Sequence, residues 1–127
     1  MVCLDTDFLV AYLRNDSAAK TKLEELDLEE EPLYTTSINA FELYKGAYHA
    51  KNSSDEFARV DKLLDAFYIL VMDRDAAKMA GVIHNKSHYI GEADLLIACI
   101  TISNKQILLT RNKKHFSQIS GLKIESW

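Results

Sequence analysis

Three apolar residues, Val2-Cys3-Leu4, run directly into the carboxylate of Asp5. Thr6-Asp7 follow, and then six apolar residues from Phe8 to Leu13. This junction constrains the fold more than any other stretch. A short apolar run feeding a longer one predicts a buried strand that enters a helix. Open α/β sheets place their ligands beyond the C-terminal ends of such strands, which is where Asp5 stands.

The rest of the chain repeats that alternation. Helices are predicted over Thr6 to Leu13, Ala18 to Leu28, Ile38 to Ala50 (capped by Ser37), Glu56 to Phe67, Asp75 to His88 and Glu92 to Ser103. Tyr89-Ile90-Gly91 breaks the helical pattern before Glu92. Strands are predicted at Leu33-Tyr34-Thr35, Tyr68 to Met72, Ile107-Leu108-Leu109 and Leu122-Lys123-Ile124. Thr110 to Phe116 reads as a loop or short helix. The connections are long enough for crossovers, so the expected class is α/β with a mostly parallel sheet of about five strands. No repeat and no second domain is visible, so one domain over residues 1–127 is expected.

Composition removes several function classes. At 48% hydrophobic and 27% charged, the chain is neither disordered nor fibrous. Its longest apolar runs, Phe8 to Leu13 and Leu95 to Ile100, fall far short of the ~20 residues of a membrane span. Asp5 and Asp7 interrupt the place where a signal peptide needs its apolar segment, so a cytoplasmic protein away from the membrane is expected. Cys3 and Cys99 sit inside apolar stretches with no ligand spacing beside them, and read as reduced packing residues. A net charge of −4 argues against a protein that coats nucleic acid. The charge is uneven, however. After Asp94 the only acid is Glu125, against Lys105, Arg111, Lys113, Lys114 and Lys123.

Three acids resist a bland reading. Glu42 follows Ile38 by one helical turn and is flanked by Phe41 and Leu43, so it lies in or beside an apolar stripe. Asp94 opens the most apolar helix, and Asp5 ends the first strand. Each has an ordinary explanation: Glu42 paired with Lys45, Asp94 compensating a helix dipole, Asp5 capping a helix. Together, with no Lys or Arg in the adjoining apolar runs, they form a pattern. Clustered carboxylates repel, and one must hold a proton unless a cation intervenes. Oxygen-only ligands suit Mg²⁺ or Mn²⁺. Such a site suits phosphodiester hydrolysis by metal-activated water.

The segments carrying these acids resemble the four motifs of PIN-domain proteins, especially VapC-type toxin ribonucleases. The first is Val2-Cys3-Leu4-Asp5-Thr6-Asp7-Phe8-Leu9, and the second runs from Thr36 to Ala47 around Glu42. The third is Ile90 to Ala98 around Asp94, and the fourth is Leu109-Thr110-Arg111-Asn112-Lys113-Lys114-His115-Phe116, followed by Ile119-Ser120-Gly121-Leu122. The resemblance spans the whole chain. It implies an α/β/α sandwich with the Asp5 strand at the centre of the sheet. It also implies a divalent-metal endoribonuclease acting on RNA, a homodimer, and a VapB-type antitoxin partner. Carried over by position, Asp5, Glu42 and Asp94 are the catalytic and metal-binding acids. The fourth family position, often Asp, falls on Asn112, which brings no charge but can orient a water through its carbonyl.

Thr6 and Thr110 are expected to support the acids through their hydroxyls, and Glu92 to reach the metal through water or to be a solvated first-turn residue. Asp7 divides between helix one and the metal. Arg111, Lys113 and Lys114 are candidates for RNA phosphates, set against a solvated basic loop. His115 reads as packing more than as a general base. Phe41, Tyr44 and Tyr48 share a helix face and read as core or dimer contacts. Three rivals remain. One is a PIN-like metal- or RNA-binding module without turnover. Another is a phosphatase in which Asp5 and Asp7 act as nucleophile and acid, which leaves Glu42 and Asp94 unexplained. The third is a phosphoreceiver domain with Asp73 as phosphoacceptor, which wants a Lys at the end of the last strand, whereas Lys123 lies within it.

Overall fold

The computed structural model describes residues 1–86 and 90–127. Five strands, β1 (Val2–Leu4), β2 (Tyr34–Thr36), β3 (Tyr68–Leu70), β4 (Ile107–Leu109) and β5 (Lys123–Glu125), form one sheet in the order β3-β2-β1-β4-β5. Every pairing is parallel. The helices are α1 (Thr6–Leu13), α2 (Ser17–Leu28), α3 (Ser37–Tyr48), α4 (Ser53–Leu64), α5 (Arg74–His84), α6 (Glu92–Ser103) and α7 (Lys113–Phe116).

Alternation along the short strands divides the interior into two cores, giving the expected α/β/α layering. Leu4 and Leu109 join Phe8, Leu9, Leu23, Leu43 and Val60 on the face covered by α1 to α4. Leu108 joins Ile97, Ile100 and Phe116 on the face covered by α5 to α7. Phe8, Leu9, Ile97 and Phe116 are fully buried, each contributing roughly 1.5–3 kcal/mol. Cys3 and Cys99 are buried free thiols, and burial pushes Cys3 up to about 12, as befits inert packing residues.

β1 is central. Its chain neighbour β2 lies on one side and β4 on the other, so the strand order reverses at β1. Leu4 is in register with Leu109, and Asp5 N–H donates to Leu109 O at 3.1 Å. Asp5 and Thr110 are thereby set beside each other at the C-terminal rim, over the switch point.

Several boundaries differ from expectation. The cap of α3 is Thr36, one residue before the predicted Ser37. Thr36 accepts from Asn39 N–H while the Asn39 side chain accepts from Thr36 N–H, a reciprocal capping box. β3 stops at Leu70 instead of Met72, because its one neighbour β2 ends opposite Leu70 at Thr36. Asp73 then caps α5 by accepting from Ala76 N–H at 2.8 Å. The fourth helix spans Ser53–Leu64 in place of the predicted Glu56 to Phe67, and Phe67 is buried in the turn into β3. α5 ends at His84, with Asn85 as its C-cap, short of the predicted His88; the break at Tyr89 falls outside the described residues.

Candidate active site

Asp5 directly precedes α1, but it does not cap that helix through its side chain. Both carboxylate oxygens are engaged elsewhere. Asn39 Nδ2 donates to Oδ1 at 3.0 Å, and Thr110 Oγ1 donates to Oδ2 at 2.8 Å. Asp5 is only 5% exposed. Burial is the main cause that pushes its pKa up from 3.8 to about 6; the Thr110 hydrogen bond opposes it, while the charges of Asp7 and Asp94 add to it.

The other acids reach Asp5 through hydroxyls. Thr6 Oγ1 accepts from Asn39 Nδ2 at 2.9 Å and donates to Glu42 Oε1 at 2.8 Å. Glu42 is therefore held by the first turn of α1, while Lys45, its expected partner, lies over the Phe41 ring. Thr110 Oγ1 accepts from Asn112 N–H at 3.0 Å and stands 3.2 Å from Asp7 Oδ2. Asp94 enters from the first turn of α6, half-buried, and burial again raises its pKa, with His115 opposing and Asp7 reinforcing. His115 Nδ1 lies 3.8 Å from Asp94 Oδ2, too far for a hydrogen bond but close enough for a charge contact. Asn112 Nδ2 meets His115 Nδ1 at 3.2 Å.

Asp5, Glu42, Asp94, Thr6, Thr110 and Asn112 thus gather at one rim, drawn from β1, α1, α3, α6 and the segment after β4. Glu92 does not join them. Its side chain is 84% exposed and faces His84 at 3.6 Å. Arg111 is also engaged elsewhere: its guanidinium lies 3.4 Å over the Trp127 ring, and Nε donates to Trp127 O. Lys113 and Lys114 are exposed on α7, and among the described residues neither makes a salt bridge. Phe41 and Tyr48, at 60% and 70% exposed, are not core residues. Tyr44 packs on Phe57 and bonds Asp61.

Sequence reasoning missed one residue and undervalued another. Asn39 is fully buried and touches Asp5, Thr6 and Thr36. Its one local signal is the Thr36-x-x-Asn39 capping pattern. Asp7 does not serve only α1: its Oδ2 accepts from Arg111 N–H at 2.8 Å, tying α1 to the end of β4.

The donor set fits a hard divalent cation. Asp7 Oδ1 is buried with no hydrogen-bond partner among the described residues, and Asp5 carries an uncompensated charge beside two more carboxylates. Among the described residues, no group of three or more His, Cys, Asp or Glu side chains is placed to hold a metal ion by itself. A looser ring of oxygens suits an ion that keeps several waters and takes one or two carboxylates. A cleft of about 600 Å³ opens beside Glu42 between α1, α3 and α4, with Arg14, His49 and Arg59 on its walls.

A parallel sheet with a buried carboxylate at its switch point places a ligand site at the C-terminal rim of β1, and the chain belongs to the PIN domain family, whose model matches residues 2–122. It is 26% identical to Ribonuclease VapC1 of Haemophilus influenzae over 128 residues, covering 98% of this chain and 96% of that protein. It is 30% identical to Ribonuclease VapC1 of Methanocaldococcus jannaschii, covering 97% of this chain and 85% of that one. Among solved structures, VapBC2 from Rickettsia felis bound to a DNA fragment from its promoter matches with a TM-score of 0.88 at 27% identity, covering 100% of this chain and 99% of that chain.

Proposed function

We propose that this chain is the toxin of a VapB–VapC-type pair: a cytoplasmic, divalent-cation-dependent endoribonuclease that hydrolyses RNA phosphodiesters. Residues 1–127 act as a single PIN domain. The observation that carries this reading is Asp5, a buried carboxylate at the switch point, pinned on both oxygens and crowded by other acids. The family match over residues 2–122 and the VapC ribonucleases among the relatives support it.

Asp5, Glu42 and Asp94 would hold Mg²⁺ or Mn²⁺. The chemistry such a cation supplies when bound is an acidified water at neutral pH and neutralisation of charge growing on the phosphate. The chain's own residues do the positioning. Thr110 and Asn39 keep the Asp5 oxygens fixed, and Thr6 does the same for Glu42. Burial of Asp5 and Asp94 makes their unneutralised charges costly, which strengthens the pull on a cation. Lys113 and Lys114, exposed on α7, would meet backbone phosphates and give affinity without sequence preference. A VapB-type antitoxin is the protein partner, in keeping with the VapBC2 complex. The exposed rings of Phe41 and Tyr48 support a homodimer that covers α3.

The test is cleavage of a mixed RNA pool by purified protein in Mg²⁺, Mn²⁺ or EDTA, beside Asp94→Asn. Cutting is expected only with a divalent cation, and Asp94→Asn is expected to abolish it with the fold intact. Undiminished cutting by Asp94→Asn would sink the assignment. Metal binding without cutting of any RNA would move the protein to the binding-module reading, for which the uncharged Asn112 is the motive.

A further inference from the structure

Asn39 has every amide atom committed. Its Oδ1 accepts from Thr36 N–H at 3.1 Å and from the Thr36 hydroxyl at 2.7 Å. Its Nδ2 gives one hydrogen to Asp5 Oδ1 and the other to Thr6 Oγ1. The amide cannot be turned over. A flipped group would set its N–H₂ against the Thr36 N–H, and its carbonyl against the Asp5 carboxylate. Thr6 follows from this. The amide nitrogen accepts nothing, so the single hydroxyl proton of Thr6 is directed at Glu42 Oε1, 2.8 Å away. One buried amide, locked by the turn between β2 and α3, therefore governs carboxylates on two different elements.

We propose that Asn39 is a positioning residue: it orients Asp5 directly, and Glu42 through the Thr6 hydroxyl, so that both present their free lone pairs to a divalent cation. This role rests on the cation reading of the acids given above. It extends the site one layer outward, to a residue that carries no charge.

The experiment is Mn²⁺ affinity by electron paramagnetic resonance on the full chain after metal removal, with a thermal melt for each variant. Wild type, Asp94→Asn, Thr6→Val, Thr6→Ser and Asn39→Leu are compared. Thr6→Val keeps the shape and loses only the hydroxyl. It is expected to weaken Mn²⁺ binding by about tenfold or more, the usual effect of removing a ligand's hydrogen-bond partner. Thr6→Ser restores the hydroxyl and is expected to recover most of that loss. Asn39→Leu is close in volume and frees both carboxylates, so its loss should exceed that of Thr6→Val. If Asn39→Leu does not fold, Asn39→Ala takes its place, since Thr6→Val reports only on the hydroxyl that reaches Glu42; a folded Asn39 variant that binds Mn²⁺ as tightly as wild type would overturn the role of Asn39.

Thr6→Val binding Mn²⁺ as tightly as wild type, while Asp94→Asn loses it, would overturn the Asn39 relay and leave the cation reading standing. So would a Thr6→Val deficit that Thr6→Ser fails to repair, or a change confined to the melts. A wild-type protein that binds no Mn²⁺, or an Asp94→Asn variant that binds it undiminished, would overturn the cation reading and the role of Asn39 with it.

Discussion

Replacing Asp5 by Asn in protein stripped of divalent cations should make it more stable. The Asp5 carboxyl is raised from 3.8 to about 6, chiefly by burial. A group that holds its proton more tightly when folded stabilises the native state fully below its unfolded pKa. That contribution is lost as the pH rises through the folded value, here about 6. A shift of about two units is worth roughly 3 kcal/mol against the native state at neutral pH. Asp5→Asn removes the charge at nearly constant volume. Its amide can accept from only one of the two present donors, Asn39 Nδ2 and Thr110 Oγ1, and the mismatch at the other offsets about 1 kcal/mol. The expected net gain in EDTA near pH 7.5 is about 1–2 kcal/mol, or roughly 3–8 °C in Tm for a domain of this size. The gain should shrink as the pH falls toward that of the unfolded carboxyl, and once the charge is gone only the mismatch of about 1 kcal/mol remains, against the variant. Urea titrations at several pH values measure it. A variant less stable than wild type at neutral pH in EDTA, or a gap that does not narrow on acidification, would refute the reasoning. Excess Mn²⁺ should reverse the order, since binding to the native state stabilises only the chain that recruits the ion.

Other outcomes follow from the same geometry. Asn112→Asp places a further negative charge near Asp94 and His115 and should tighten Mn²⁺ binding in calorimetry; unchanged or weaker binding would separate Asn112 from the cation. Lys113→Ala and Lys114→Ala should each weaken RNA binding evenly across sequences. Each should also reduce the slope of log affinity against log salt by about 0.7 for every phosphate no longer neutralised, and an unchanged slope would take that lysine off the RNA path. Arg111→Ala should act mainly on stability, costing about 0.5–2 kcal/mol because the stacking on Trp127 disappears. A drop in RNA affinity with an unchanged melting temperature would contradict that.

Periodicity was enough to place α6 and β4, whose bounds match expectation, because both are apolar runs with sharp polar ends. It also singled out Asp5, Glu42 and Asp94, since a carboxylate beside an apolar stripe is a local anomaly. The hydrogen-bonding around them was not legible. Asn39 reaches Asp5 across 34 positions and Arg111 N–H reaches Asp7 across 104, and no local spacing carries such information. Glu92 and Asp94 looked alike as first-turn acids of one helix. Two residues apart on a helix, they face different ways, so Glu92 meets His84 and Asp94 meets His115. Arg111 looked like its lysine neighbours until Trp127 supplied a ring for it to cover. The cap moved from Ser37 to Thr36 because Asn39, three residues on, answers the Thr36 backbone reciprocally.

The hydrogen bond from Thr110 to Asp5 joins residues 105 apart in the chain. During synthesis, β1 is made first, and β4, its neighbour on one side, emerges among the last segments. Until then β1 is an edge strand. Asp5 lacks both the Thr110 hydroxyl and the Leu109 carbonyl, and water reaches its carboxylate. An Asp in water ionises at its ordinary pKa and has little hold on a cation. Closing so long a loop is also slow, because its entropy is lost before the two ends meet. The surroundings of Asp5 are therefore complete only once β4 has paired with β1 and brought Thr110 to its carboxylate.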